Sequence, residues 1–148
     1  MRFVVANGLR VLVCLWAAAL LAFLLAGCGA DGSSSAGTVV PVSEADFQIN
    51  APTSLRAGEY TLRVSNHGPT EHELIVVRSS SGRLPMRGDG LTVSEEALES
   101  QEAGSLEPGR PGAVRDLRVH LTPGRYVLFC NMEGHYMAGM RSELVVSA

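Results

Sequence analysis

Lysine is absent from this chain of 148 residues; all twelve basic side chains are arginine. Set against fifteen acids they leave a formal net charge of −3, which argues against a basic surface for gripping nucleic acid. Cysteine is nearly as scarce. Only Cys14, Cys28 and Cys130 occur, and the first two lie in an apolar N-terminal region, which argues against a disulfide framework in the domain that follows. There is no internal repeat. The length suits one ordinary domain with something short attached.

The attachment is the N-terminus. Arg2 and Arg10 make a positive start, Val11 to Leu25 is an almost unbroken apolar run, and "LAGC" closes it at Cys28. Small residues just before a cysteine, after a run somewhat short for a membrane span, read as a secretory signal of the lipoprotein kind. Residues 1–27 are then a signal peptide with a bacterial lipobox, and Cys28 is the lipidated first residue of the mature chain. An uncut transmembrane anchor is the other reading, and both place the domain outside the cytoplasmic membrane. Residues 28–38, "CGADGSSSAGT", form a flexible Gly/Ser-rich tether. Removing residues 1–27 takes away two arginines and no acid, so ten arginines face fifteen acids and the mature charge is −5.

Residues 39–148 carry the signals of an all-β domain. "FQIN", "EYTLRV", "HELIVV", "DLRVHL", "RYVLFC" and "SELVVS" are short runs rich in β-branched and aromatic residues, separated by turns such as "NHGP" and "TPGR". Tyr60, Leu62 and Val64 alternate with Thr61 and Arg63; Leu117, Val119 and Leu121 alternate with Arg118 and His120. Period-two alternation puts the apolar set on one buried face, as in a sandwich or small barrel of antiparallel and mixed strands. One stretch departs from this. "SSSGRLPMRGDG" reads as a loop, and "TVSEEALESQEAG" as a short acidic helix, with Thr92 or Ser94 as N-cap and Gly104 as its stop. Its glutamates read as a solvated face, with docking of a basic partner as the sharper alternative.

Chemistry concentrates in "FCNMEGHYMAGM", Phe129 to Met140. Cys130 ends an apolar strand, which holds it rigidly. Gly134 and Gly139 let the following loop turn tightly, so Cys130, His135 and Met140 can converge on one point. A second imidazole would complete the set. His72 ranks first because it opens a buried strand; His67 lies inside a turn, and His120 should face water. Two imidazoles, a thiolate and a thioether are soft donors that select copper, and the trigonal His₂Cys set with a weak axial methionine is the blue-copper arrangement. Met132 and Met137 read as neighbours, either soft contacts or part of an apolar patch around the exposed edge of His135.

These motifs resemble the cupredoxin family, in particular its sulfocyanin, rusticyanin and azurin-like branch. Asn66, Gly68 and His72 match the family's turn before the first ligand, Leu121 to Cys130 its strand before the second, and Cys130 to Met140 its ligand loop. The resemblance runs from about Val39 to the end. It implies a cupredoxin-like Greek-key β-sandwich, here with a short helix in one long connection, and one copper ion held near one end by His72, Cys130, His135 and Met140. Two positions depart from the pattern: Glu73 stands where the family often has Asn, and Glu133 where it often has Pro.

The implied function is single-electron transfer by Cu(I)/Cu(II) cycling between redox protein partners at the membrane surface, by a monomeric, lipid-anchored carrier. It is not an enzyme on this reading. A thiol nucleophile would leave Met140 and a second histidine unexplained. Dinuclear copper would need a second cysteine in the loop, further catalytic coppers would need more than four histidines, and zinc gains little from methionine. The rival is an extracytoplasmic carrier that delivers copper to an oxidase. A third possibility is an interaction module that binds no copper.

Overall fold

A computed structural model describes residues 37–148. The signal segment 1–27, Cys28 and all but the last two residues of the tether lie outside the described residues.

Among the described residues, nine strands form two sheets. They are β1 (Thr38–Ala45), β2 (Gln48–Asn50), β3 (Ser54–Arg56), β4 (Gly58–Asn66), β5 (His72–Arg78), β6 (Glu102–Gly109), β7 (Val114–Leu121), β8 (Gly124–Phe129) and β9 (Arg141–Ser147). One sheet has the order β2-β1-β4-β7 and the other β3-β9-β8-β5-β6. Parallel pairings, β1 with β4 and β3 with β9, occur in otherwise antiparallel sheets. The alternation read from the sequence positions β4 and β7: Leu62, Val64, Leu117, Val119 and Leu121 are buried between the sheets, and His120 faces out. Val40, Val42, Leu74, Val76, Leu128, Leu144 and Val146 fill the same core, which extends to Cys130 and Met140.

β5 shows why its sequence is apolar on successive residues. Leu74 and Val76 face the main core, whereas Ile75 and Val77 face outward into a second buried cluster with Leu84, Val93, Leu98, Val127, Phe129 and Tyr136. The connection between β5 and β6 covers that outer face and supplies Leu84, Val93 and Leu98. A strand sealed on both faces loses the polar–apolar alternation of a half-exposed one.

The acidic helix expected over residues 92–104 does not form. Among the described residues it reduces to a single 3-10 turn, Glu99–Gln101, and the chain then enters β6 at Glu102. Glu95 and Glu99 would stand four residues apart on a helix, with like charges repelling. Val93 and Leu98 are instead needed as anchors of the outer cluster. Residues 102–109 pair with β5, so Gly104 lies within a strand and stops nothing.

Among the described residues, one ionisable acid is buried in the core. Glu44 follows Val40 and Val42 as the next inward residue of β1 and is fully buried. Burial raises its carboxyl to about 7, against the opposing pull of Arg115. A carboxyl raised on folding adds stability below its unfolded value, which is lost as pH climbs through the folded one. The metal-free protein should therefore lose stability between about pH 4.5 and 7 relative to a Glu44→Gln variant, by roughly 2 kcal/mol. Denaturant midpoints of both proteins across that range would show it; parallel profiles would contradict it.

Candidate metal centre

Cys130 follows the last residue of β8 and is fully buried. The next ten residues return the chain to β9 through a compact loop. Gly134 and Gly139 have φ of 78° and 104°, the left-handed region that glycine enters without strain. Main-chain bonds close the loop on itself: His135 N–H donates to Met132 O, Ala138 N–H to Gly134 O and Met140 N–H to His135 O, at 2.9, 2.9 and 3.0 Å. Cys130 N–H donates to Met140 O at 3.2 Å, so the two ends of the loop meet. Met140 is fully buried there, in the same core cluster as Cys130.

The other contribution comes from the turn between β4 and β5. The Asn66 side chain accepts from Gly68 N–H at 2.8 Å and donates to the carbonyls of Thr70 and Gly109 at 2.7 and 2.9 Å. That fastens the turn and delivers His72, the first residue of β5, to a fully buried position. Gly68 makes the space: a Cβ there would lie 2.8 Å from His72 Nε2 and 2.9 Å from Asp46 Oδ1. The Asn-x-Gly-x₃-His motif thus fixes the turn with its Asn and admits the imidazole with its Gly.

His72, Cys130 and His135 come together, each offering one ligand atom within 4.8 Å of the others. Cys130 Sγ and His135 Nδ1 are 3.4 Å apart, and the two imidazole centroids 5.2 Å apart. His72 Nε2 donates to Asp46 Oδ1 at 3.0 Å, leaving Nδ1 as the lone-pair nitrogen. That Nδ1 is buried and has no protein partner. Burial, then the charge of His135, pulls the His72 imidazole below its ordinary range despite Asp46, so the ring is neutral and ready to coordinate. Burial pushes the Cys130 thiol up to about 11, although the N–H groups of Met132 and Glu73 favour the thiolate. Only a cation that binds sulfur strongly would displace that proton near neutral pH. The donor set therefore fits a soft metal ion.

The remaining candidates are placed elsewhere. His67 is exposed in the turn, with its N–H on Glu44 O. His120 pairs with Glu59 on the surface at 2.5 Å. Met137 is 57% exposed, and Met132 is half-buried against the main core. Phe47, 51% exposed, sets its ring edge-on to His135 with centroids 5.5 Å apart.

Comparison with known proteins adds a fold. No family model matches the chain, and no curated protein does. Solved structures do. Reduced auracyanin from Roseiflexus castenholzii matches at 15% identity and a TM-score of 0.57, over 76% of this chain and 99% of that one. Auracyanin A, a blue copper protein of Chloroflexus aurantiacus, matches at 18% and 0.56, over 75% and 99%. Rusticyanin from Thiobacillus ferrooxidans matches at 15% and 0.57, over 76% and 79%. The chain has the cupredoxin fold. In this cupredoxin sandwich, the cluster of His72, Cys130 and His135 beside buried Met140 points to a single copper ion.

Several supporting residues of this cupredoxin-fold domain were not legible as such. Asp46 sits in the β1–β2 turn, far in sequence from any ligand. Glu73, a departure from the family pattern, proves to tie the two ligand segments: its Oε1 accepts from Asn131 N–H at 2.9 Å. A carboxylate can accept that bond as well as an amide oxygen can, and burial, reinforced by Glu95, raises its pKa. Asn131 in turn holds the outer connection, accepting from Val93 N–H at 2.6 Å and donating to Val93 O at 3.0 Å.

Removing the partner that orients a ligating imidazole typically weakens metal binding ~10–100-fold. Asp46→Ala should lower copper affinity within that range, measured by chelator competition. Gly68→Ala should destabilise even the metal-free protein by about 1–3 kcal/mol, because the new methyl meets His72 and Asp46. An unchanged denaturant midpoint for Gly68→Ala would show that the turn is looser than described.

Proposed function

We propose that this protein is a mononuclear type 1 copper protein that carries single electrons between redox proteins. The observation that carries this reading is the cluster of His72, Cys130 and His135, in which His72 is buried with an unpartnered Nδ1 and the Cys130 sulfur lies beside His135 Nδ1. His72, Cys130 and His135 would hold the ion as strong ligands, with Met140 as a weaker sulfur donor. Copper, when bound, supplies the one-electron couple.

The chain's own residues do the rest. The neutral His72 ring keeps its tautomer through Asp46, so Nδ1 needs no proton shift to bind. Cys130 would hold the ion as a thiolate, which the N–H groups of Met132 and Glu73 favour. The ligand loop, bonded from Cys130 to Met140, resists rearrangement between oxidation states. His135 is only partly buried, so its outer edge, with Phe47 and Met137, offers the approach for a partner.

The reading also places the domain outside the cytoplasmic membrane, tethered as a monomer by a lipid on Cys28. What supports it is the signal-like run ending in "LAGC" and the Gly/Ser tether. Such a tether restricts the search for partners to the membrane surface. Copper delivery to an oxidase is the rival, and the burial of His72, Cys130 and Met140 weighs against easy release.

Copper-loaded full-length protein should show an intense thiolate-to-Cu(II) visible band and a reversible one-electron potential. Cys130→Ser should abolish the band and leave the β-domain folded by circular dichroism; a retained band would refute the ligand assignment. Met140→Leu should keep copper and shift the potential. Rapid loss of Cu(I) from the native protein to a mild chelator would favour the delivery reading. For the anchor, Cys28→Ser should abolish incorporation of labelled fatty acid and release the protein from membranes.

A further inference from the structure

Behind His72 lies a charge pair that coordination does not use. Arg115 of β7 donates through Nη2 to Glu44 Oε2 at 2.8 Å and to the His72 carbonyl at 3.2 Å. Its Nη1 donates to the Glu107 carbonyl. One guanidinium therefore links β1, β5, β6 and β7 at the point where the ligand strand begins. Room has been left for it. Gly109 stands opposite His72 in the β5–β6 pairing, and a Cβ there would collide with the Arg115 side chain.

The arrangement is poor value as a source of stability. Glu44 takes an inward position that Val40 and Val42 set up for an apolar residue. Glu44 Oε1 and Arg115 Nε have no protein partners. Replacing a buried ion pair by apolar residues of similar size often leaves a protein as stable or more so. What the pair does provide is a fixed main chain at His72. Asp46 holds the ring of His72 at Nε2, and Arg115 holds its carbonyl. The residue is gripped at both ends.

We propose that Glu44 and Arg115 are positioning residues for the metal centre, fixing the His72 main chain so that its ring keeps one orientation whatever the charge on the metal. The proposal rests on the copper reading above. Arg115 makes the contacts; Glu44 is the counter-charge that keeps the guanidinium directed inward. A lysine could not replace Arg115, because a single ammonium lacks the planar fork that reaches several acceptors at once.

The test uses the full-length chain with Glu44→Leu and Arg115→Met combined, so that neither charge is left unpaired. Thermal stability should be kept or raised. Copper affinity by chelator competition should fall roughly tenfold. The potential and the EPR copper hyperfine splitting should both shift, and amide exchange at His72 should quicken in the metal-free protein. A purely structural pair would move stability and leave those spectroscopic readouts alone. A double variant with the native affinity, potential and EPR spectrum would overturn the proposal. If the double variant does not fold, Arg115→Lys serves, with the same shifts expected and unchanged values overturning it. Should the native protein itself take up no copper, the functional reading fails separately. Amide exchange at His72 then decides the positioning role, faster in the variant if it holds and unchanged if it does not.

Discussion

A polar atom buried without a partner is the constraint around which this end of the sandwich is organised. His72 Nδ1 sits out of water and accepts no hydrogen bond from the protein. Such an atom costs free energy on the order of 1–3 kcal/mol unless something else satisfies it. The surroundings hold it in place at that cost. Asp46 takes the opposite ring nitrogen, Gly68 vacates the space against the ring, and Asn66 ties down the preceding turn. The Cys130 thiol beside it is held neutral by burial, so a cation binding there must displace its proton. One soft cation would satisfy the His72 nitrogen and bind the sulfur strongly enough to displace its proton, which is the thermodynamic content of a preformed site.

The chain's local patterns displayed the parts that obey local rules. Alternation in β4 and β7, the glycines of the ligand loop and the Asn-x-Gly turn each depend on residues close in sequence, so they could be read directly. The cluster of His72, Cys130 and His135 was legible through its unusual residue types. What escaped was set by long-range pairing. The segment 92–104 looked helical because its glutamates favour helices, but a strand edge of β5 was waiting for residues 102–109. Asp46, Glu73 and Arg115 carry no local mark of their roles. Each acts on a residue brought near only by the closed sandwich; Glu73 was visible as a departure from the family pattern, but its bond to Asn131 was not.

The two buried clusters divide the work. The inner one unites the sheets and runs up to Cys130 and Met140. The outer one lies across β5 and β8 and is built partly from the β5–β6 connection. Phe129 and Tyr136 belong to the outer cluster and meet edge-to-face at 5.7 Å, so the residue before the cysteine and the residue after His135 share one apolar anchorage. Rigidity at the metal centre thus comes from both sides of a single sheet.

That shared anchorage bears on how the molecule could be rebuilt. Ligand loops of this kind invite transplantation, since they run from one strand end to the next with the metal-binding residues inside. Here Asn131 holds Val93 by two hydrogen bonds, and Tyr136 belongs to the same buried cluster as Leu84 and Leu98. The loop is stitched to a cover that another scaffold would lack. A foreign loop grafted between β8 and β9 would leave Val93 with two unmet main-chain groups and open a gap beneath the cover. The natural module for exchange in this protein is therefore discontinuous: the ligand loop and the β5–β6 connection, moved as a pair.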